Sequence, residues 1–178
     1  MNSLFKNFGR EELEELARSM AWNDGFGCYT RKGLEKMIWP EIIGNVQYCV
    51  FIDVDDMHGL NERHGYDGVN LLIKNSLLVR STDYVAGQWF SGDEFVVLIA
   101  ENEGREESDV NQFCERLQYA FAENGISITI GVSDALSPNL MEVVKPAFDL
   151  VQEAKRLGRR GTINDGSDGF TNFVVEVI

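Results

Sequence analysis

Ser91-Gly92-Asp93-Glu94-Phe95 is the stretch of sequence that decides the fold. Apolar segments flank it at residues 84–90 and 95–100, and this pattern predicts two strands joined by a tight turn. The turn carries two adjacent carboxylates, and the glycine beside them lets a phosphate approach the backbone. Such a hairpin tip predicts a place where carboxylates hold a metal ion close to a phosphate.

A second acidic strand end lies upstream, in the segment 51–56, which reads FIDVDD. An apolar run leads into it, so its carboxylates are expected at the end of a buried strand. Two acidic strand ends brought side by side would form a divalent-metal site of the kind used in phosphoryl transfer.

The composition predicts one cytoplasmic domain. The chain has 178 residues and is 44% hydrophobic, enough for a full core. Its formal net charge of −13 excludes binding to nucleic acid or an anionic membrane by general electrostatics. Three widely spaced cysteines predict reduced thiols, and neither a signal peptide nor about 18 consecutive apolar residues is visible.

The apolar periodicity predicts helices alternating with strands. Thr30 is expected to cap a short helix that Pro40 ends, and Ser108 to cap a later one that Gly125 ends. Other helices are predicted over residues 10–22, 68–80 and 140–157, with a kink at Pro146 in the last. Strands are predicted over 46–54, 84–90, 95–100, 126–132 and, after a loop at 164–169, 170–178. This order indicates an α/β (α+β) fold with a central mixed or antiparallel sheet flanked by helices.

Four separated segments resemble, in order and spacing, the motifs of the GGDEF domain of diguanylate cyclases. They are residues 23–31, residues 52–66, residues 91–95, and the strand 128–132 together with the basic stretch 154–160. The resemblance covers about residues 22–165. It implies a palm-like sheet, with residues 22–178 as the catalytic domain and residues 1–21 as an N-terminal helix or connector.

The resemblance also implies an activity. Members of the family join two GTP molecules into cyclic di-GMP, release pyrophosphate, and use two Mg²⁺ (or Mn²⁺) per active site. Each domain holds one GTP, so the active enzyme would be a homodimer.

The family's metal ligands map onto the two acidic segments. Asp53 would bind with its side chain and Val54 with its carbonyl, and Asp93 would be the second acidic ligand. Glu94 would assist metal binding and activate the attacking ribose 3′-hydroxyl. The alternative is that both segments are only a solvated turn and strand end.

The phosphate contacts map onto the hairpin tip and a basic helix end. Ser91 and Gly92 would present backbone N–H groups to the phosphates. Lys155 and Arg159, at i, i+4 spacing on one helix face, would contact the phosphates too. The same two cations would also be favourable at a helix C-terminus without any ligand. Asn61 would hydrogen-bond guanine, although an asparagine also suits a turn.

Three positions depart from the family pattern. Ser91 replaces the first glycine of the signature and would cost on the order of 1 kcal/mol if its φ had to be positive. His58 stands where a phosphate-binding lysine is usual, and could substitute only when protonated; otherwise it is a solvent-exposed loop histidine.

Asn70 stands where the family has an aspartate that accepts two bonds from guanine. An amide offers one acceptor and one donor group, which suits adenine better and predicts altered or relaxed base choice. The alternative is a local shift of the alignment, with Asp67 in that role.

Arg80 and Asp83 resemble the family's RxxD product-inhibition site, although seven residues separate Asp83 from Ser91 instead of the usual five.

Two hypotheses about the function of the whole chain stay open. One is a GGDEF-type cyclase, making cyclic di-GMP or another cyclic dinucleotide. The other is a degenerate GGDEF domain that binds nucleotide or regulates a partner without catalysis.

Overall fold

A computed structural model describes residues 9–77 and 83–167, and its centre is a seven-stranded mixed sheet. The spatial order of the strands is β1-β2-β4-β5-β3-β6-β7. Neighbouring strands are antiparallel, except that β2 with β4 and β6 with β7 are parallel. The bounds are β1 Trp22–Asn23, β2 Cys28–Tyr29, β3 Val46–Val54, β4 Tyr84–Gln88, β5 Glu94–Ala100, β6 Ile128–Asp134 and β7 Ile163–Asn164.

β3 is the central strand that positions both acidic segments. It pairs with β5 on one side and β6 on the other, and every residue from Cys49 to Val54 is buried. Both faces of the strand are covered, which explains why its sequence is a nearly continuous apolar run.

Helices cover both faces of this sheet. They are α1 Arg10–Ala21, α2 Arg31–Gly33, a π-helical turn Leu34–Ile38, α3 Trp39–Ile42, α4 Met57–Ser76, α5 Glu107–Glu123 and α6 Leu140–Arg156. One core cluster joins α4 and α5 to side chains such as Ile52, and the other joins α6, the π-helical turn and α3 to side chains such as Phe51. The mixed sheet with flanking helices confirms the predicted fold class.

Several predicted elements are confirmed with small changes in their bounds. The predicted first helix, the β3 strand, the β4–β5 hairpin and the last helix are present. Thr30 caps α2 by accepting a hydrogen bond from the Gly33 N–H at 3.0 Å. The three cysteines are free and buried.

The prediction for α4 was wrong about where the helix begins and ends. The helix starts at Met57, directly after β3, and ends at Ser76. Gly65 interrupts it with φ 71° and ψ 164°. The glycines in the first part obscured the helical periodicity, and Asp56, with φ 52°, caps the start by accepting from Gly59 N–H at 3.2 Å.

Other boundaries also differ from the predictions. Pro40 lies in the first turn of α3, directly after the π-helical turn, and does not end the helical segment. Ser108 lies inside α5, whose N-cap is Glu106, and α6 runs through Pro146. β6 starts two residues later than predicted, at Ile128, and β7 forms where a loop was expected to begin. The strand predicted over 170–178 lies outside the described residues.

Within residues 9–77 and 83–167, none of the helices combines the length and the apolar character that crossing a membrane requires.

Candidate functional site

Strand pairing brings the two acidic segments together. Asp53 on β3 is the register partner of Glu94 on β5, and the Val54 N–H donates to the Asp93 carbonyl at 2.8 Å. Directly opposed residues of an antiparallel pair project from the same face of the sheet. The Asp53 and Glu94 side chains therefore lie on one face, beside the hairpin tip.

The hairpin tip is a tight turn with open space beside it. The Trp89 N–H donates to the Glu94 carbonyl at 2.8 Å, and the Glu94 N–H donates to the Ser91 carbonyl at 3.3 Å. Ser91 does not have the left-handed backbone conformation, so the strain considered for this substitution does not arise. A methyl group added at Gly92 would meet no atom within 4 Å, which leaves room for a ligand at the backbone.

Asp53 is the most electrostatically perturbed carboxylate of the site. The residue is only 3% exposed, and this burial is the main cause that raises its pKa to about 6. Lys155 lowers the pKa, whereas the neighbouring Asp93 and Asp55 raise it further. Asp53 is therefore a buried carboxylate in an acidic neighbourhood, and a cation contacts it.

That cation lies in the last turn of α6. The Lys155 Nζ forms an ion pair with Asp53 Oδ1, and the two side chains are 20% and 4% exposed. α6 packs on the face of the sheet from which Asp53 projects. The helix thus delivers an ammonium group to the buried carboxylate.

The expected pairing of Lys155 and Arg159 on one helix face was wrong. α6 ends at Arg156, and Gly158 follows with φ 72°. The Arg159 N–H donates to the Ala154 carbonyl at 2.8 Å and the Gly158 N–H to the Lys155 carbonyl at 3.0 Å, which is the Schellman ending of a helix. Arg159 therefore follows a turn, and its position depends on that turn.

Asp55 belongs to the acidic strand end of the sequence analysis, which gave this residue no role of its own. Its carboxylate, 6% exposed as a residue, accepts from Ser127 Oγ at 2.7 Å, Thr129 Oγ1 at 2.9 Å and the Gly161 N–H at 3.1 Å. Arg160 Nη1 lies 3.5 Å away. These bonds tie the end of β3 to the start of β6 and to the loop after α6. The alternation of a strand was the available signal, because Asp55 faces the same side as Asp53.

The donor set suits a hard divalent cation only in part. Asp53, Asp93, Glu94 and the Val54 carbonyl offer oxygen atoms, which Mg²⁺ and Mn²⁺ prefer. In the described part of the chain, however, no group of three or more Asp, Glu, His or Cys side chains is arranged to hold an ion. A metal ion held by these residues would need phosphate oxygens or water as its remaining ligands.

The residues expected to contact the base lie on the other face of the sheet. Asn61 and Asn70 belong to α4, on either side of the break at Gly65. The Asn70 amide lies beside the loop 23–27, with Nδ2 3.7 Å from where a Cβ on Gly25 would stand. His58, in the first turn, is 89% exposed, and its Nε2 lies 3.3 Å from Glu62. α4 begins directly after Asp55 and Asp56, so its first turn adjoins the acidic strand end.

The proposed product-inhibition motif is only partly described. Asp83 forms an ion pair with Arg105 at 3.6 Å, and Arg105 lies over the Tyr84 ring at 6.0 Å. Arg80 lies outside the described residues.

Comparisons with solved structures identify the fold. The coiled coil and GGDEF domain of DgcB from Caulobacter crescentus, in complex with c-di-GMP, has 18% sequence identity and a TM-score of 0.71, over 88% of this chain and 91% of that one. Diguanylate cyclase SiaD of Pseudomonas aeruginosa, in complex with its activator SiaC, has 18% identity and a TM-score of 0.64, over 86% and 65%. The S helix-GGDEF-EAL structure of LapD from Vibrio cholerae has 12% identity and a TM-score of 0.65, over 89% and 40%.

Neither a protein-family model nor a curated protein matches the sequence. The architecture alone defines an α+β domain with a mixed sheet and an acidic strand end at its centre. Within that class, the chain has the fold of the GGDEF domain.

Proposed function

We propose that the chain is a nucleotidyl cyclase of the diguanylate cyclase type, which condenses two GTP molecules into cyclic di-GMP and releases pyrophosphate. The observation that supports this most is the register of Asp53 opposite Glu94, with Lys155 at the same point. Carboxylates that attract a metal and a cation that attracts phosphate are the two requirements for binding a metal–triphosphate complex.

In this proposal the acidic strand ends hold two Mg²⁺ or Mn²⁺ ions, through Asp53, the Val54 carbonyl, Asp93 and Glu94. When bound, the ions would neutralise the triphosphate and stabilise in-line attack on the α-phosphate. The open backbone at Ser91 and Gly92 would take the phosphates from one side. The last turn of α6 would take them from the other side through Lys155, and the turn after the helix would add Arg159.

The reaction consists of two identical displacements. In each, the ribose 3′-oxygen of one GTP forms a bond to the α-phosphorus of the other GTP. The bond between that phosphorus and the oxygen that bridges to the β-phosphate breaks, and pyrophosphate leaves. Glu94 would accept the hydroxyl proton, since it projects at the hairpin tip beside Asp53. Each domain would hold one GTP, so residues 22–178 of two copies would face each other, with residues 1–21 as the connector.

The base contacts leave the choice of nucleotide as a separate question. Asn61 would hydrogen-bond guanine, and Asn70, with one donor and one acceptor group, would relax the choice towards adenine. In this proposal the loop 23–27, which lies beside the Asn70 amide, would form one wall of the base site.

A second function, nucleotide binding without turnover, has one observation in its favour. His58, which stands at a phosphate-binding position of the family, faces Glu62 at 3.3 Å. A phosphate there would have to compete with a carboxylate, which weakens this contact relative to a lysine.

Product analysis tests the proposal. The purified protein is incubated with each nucleoside triphosphate and with pairwise mixtures, with Mg²⁺ or Mn²⁺, and products are identified by mass spectrometry. Cyclic di-GMP from GTP is expected, with loss in Asp93→Asn and retention in Asp149→Asn, an exposed carboxylate on α6.

The other outcomes separate the alternatives. A product that contains adenine would assign altered base choice. GTP binding without any product would support the binding function. The absence of both binding and product would refute both functions.

A further inference from the structure

In the proposed function, the Asp53 carboxylate must be available to bind a metal ion. In the structure, the Lys155 ammonium group contacts this carboxylate instead. Lys155 Nζ contacts Oδ1 of Asp53, one of the oxygen atoms that a metal would use. Both side chains are largely enclosed, at 20% and 4% exposure, so the contact is shielded from solvent.

A buried carboxylate needs such a partner. Removing a charge from water costs several kcal/mol unless another charge or hydrogen-bond donors compensate it. Asp55, two residues along, has Ser127, Thr129 and Gly161 as hydrogen-bond donors and is thus compensated by the fold. Asp53 is compensated through the α6 lysine instead.

We infer that Lys155 is the counter-ion of Asp53 until a metal binds, and that a divalent cation displaces it efficiently only when a nucleoside triphosphate enters at the same time. This rests on the proposed function, because it concerns how the same site fills.

The physical reason is that the ammonium group of Lys155, once displaced from Asp53, needs another anion. A metal ion that arrives alone takes Asp53 from Lys155 and leaves a partly enclosed ammonium without its anion. A triphosphate supplies a new anion within reach of the flexible lysine stem. Each ligand therefore lowers the cost of binding the other, and this coupling is reciprocal.

Mn²⁺ binding measured by electron paramagnetic resonance tests the inference without any turnover. Wild type, Lys155→Met and Lys145→Met are titrated with Mn²⁺ alone and again with saturating 3′-deoxy-GTP, which lacks the attacking hydroxyl. Methionine keeps an unbranched apolar stem without the charge. Lys145 is the matched control because it lies on the same helix, is exposed, and pairs with Asp149.

Without nucleotide, Lys155→Met is expected to bind Mn²⁺ roughly tenfold more tightly than wild type, a typical size for coupling between two ligands. The nucleotide should tighten Mn²⁺ binding in wild type and in Lys145→Met, and much less in Lys155→Met. Lys155→Gln, a polar replacement, should repeat this result and guards against a folding defect in the methionine variant.

Two failures are distinguishable. Equal affinity for Mn²⁺ alone in wild type and both Lys155 variants, with 3′-deoxy-GTP still bound by wild type, would overturn the counter-ion role and leave the proposed function intact. If neither Mn²⁺ nor 3′-deoxy-GTP binds to any of the proteins, the proposed function is overturned, and this inference with it.

Discussion

Asp53 is a single side chain whose ionisation is coupled to folding. Its pKa is raised from 3.8 to about 6, first because the carboxyl is buried, so the folded protein holds this proton more tightly than the unfolded chain. The contribution of this proton to stability is fully present below pH 3.8. It is lost as the pH rises to about 6.

Asp53→Asn should therefore change how stability depends on pH. Asparagine does not titrate, so the variant should gain stability relative to wild type between pH 4 and pH 6. The gain should be at most about 1.4 kcal/mol per pH unit, the value for one proton. Urea unfolding in EDTA over this range measures it, with Asp149→Asn as the exposed control. Parallel curves for wild type and Asp53→Asn would show that the buried carboxyl does not titrate this way.

Gly92 provides a second prediction for one residue. A Cβ there meets no atom within 4 Å, and the backbone does not have a positive φ, so Gly92→Ala should change the free energy of unfolding by less than about 0.5 kcal/mol. The methyl group would occupy the space proposed for a phosphate. Affinity for the Mn²⁺ complex of 3′-deoxy-GTP should fall roughly tenfold, which is about 1.4 kcal/mol. Calorimetry measures this, and unchanged affinity would place the phosphates elsewhere.

The loop after α6 is the element on which the phosphate contacts depend. Asp55 holds it through the Gly161 N–H and reaches Arg160, while Thr129 Oγ1 accepts from the same N–H at 3.0 Å. The Schellman ending at Gly158 continues directly into this loop. A change at the end of β3 should therefore be felt at Lys155 and Arg159.

Asp55→Asn tests this link. An amide at this position turns an NH₂ group towards one of the donors, which should lower the free energy of unfolding by about 2 kcal/mol. It should also weaken 3′-deoxy-GTP binding, because the loop moves. Arg160→Ala removes only the more exposed partner and should cost less than about 1 kcal/mol. Unfolding in urea and calorimetry measure both effects, and equal behaviour of the two variants would exclude a positioning role for Asp55.

Among the secondary-structure elements, the packing of α6 on β6 is the second feature that can be tested. Gly131 lies against the backbone of Ala147, and an added Cβ would overlap the Ala147 carbonyl. Because this is backbone and not a flexible side chain, Gly131→Ala should lower the free energy of unfolding by about 3 kcal/mol. Urea unfolding with Gly92→Ala as the glycine control tests this, and a cost as small as that of the control would mean that the helix adapts.

At the scale of the whole molecule, the fold was predictable because its signals are local. The apolar run of β3 and the β4–β5 hairpin have the periodicity of strands, and α6 has that of a helix. β1, β2 and β7 have two residues each and carry no periodicity of their own. The start of α4 was missed because Gly59 and Gly65 interrupt the pattern there.

The sequence predicted only the parts of the site that lie at the ends of single strands. Asp53 and the hairpin carboxylates follow from apolar runs that end in acidic residues. The contact of Lys155 with Asp53 joins residues far apart in the sequence, so it depends on how α6 packs. The sequence could have predicted that Arg159 lies outside the helix, because Gly158 is the residue type that ends a helix in this way.

The central claim is that Asp53, the hairpin tip and the end of α6 form one metal–nucleotide site. Anomalous diffraction from crystals grown with Mn²⁺ and 3′-deoxy-GTP tests it most directly. The account predicts a manganese peak bound by Asp53 and the carboxylates at residues 93–94, with Lys155 moved from Asp53 to the phosphates. A bound nucleotide with manganese elsewhere, and Lys155 still on Asp53, would contradict it.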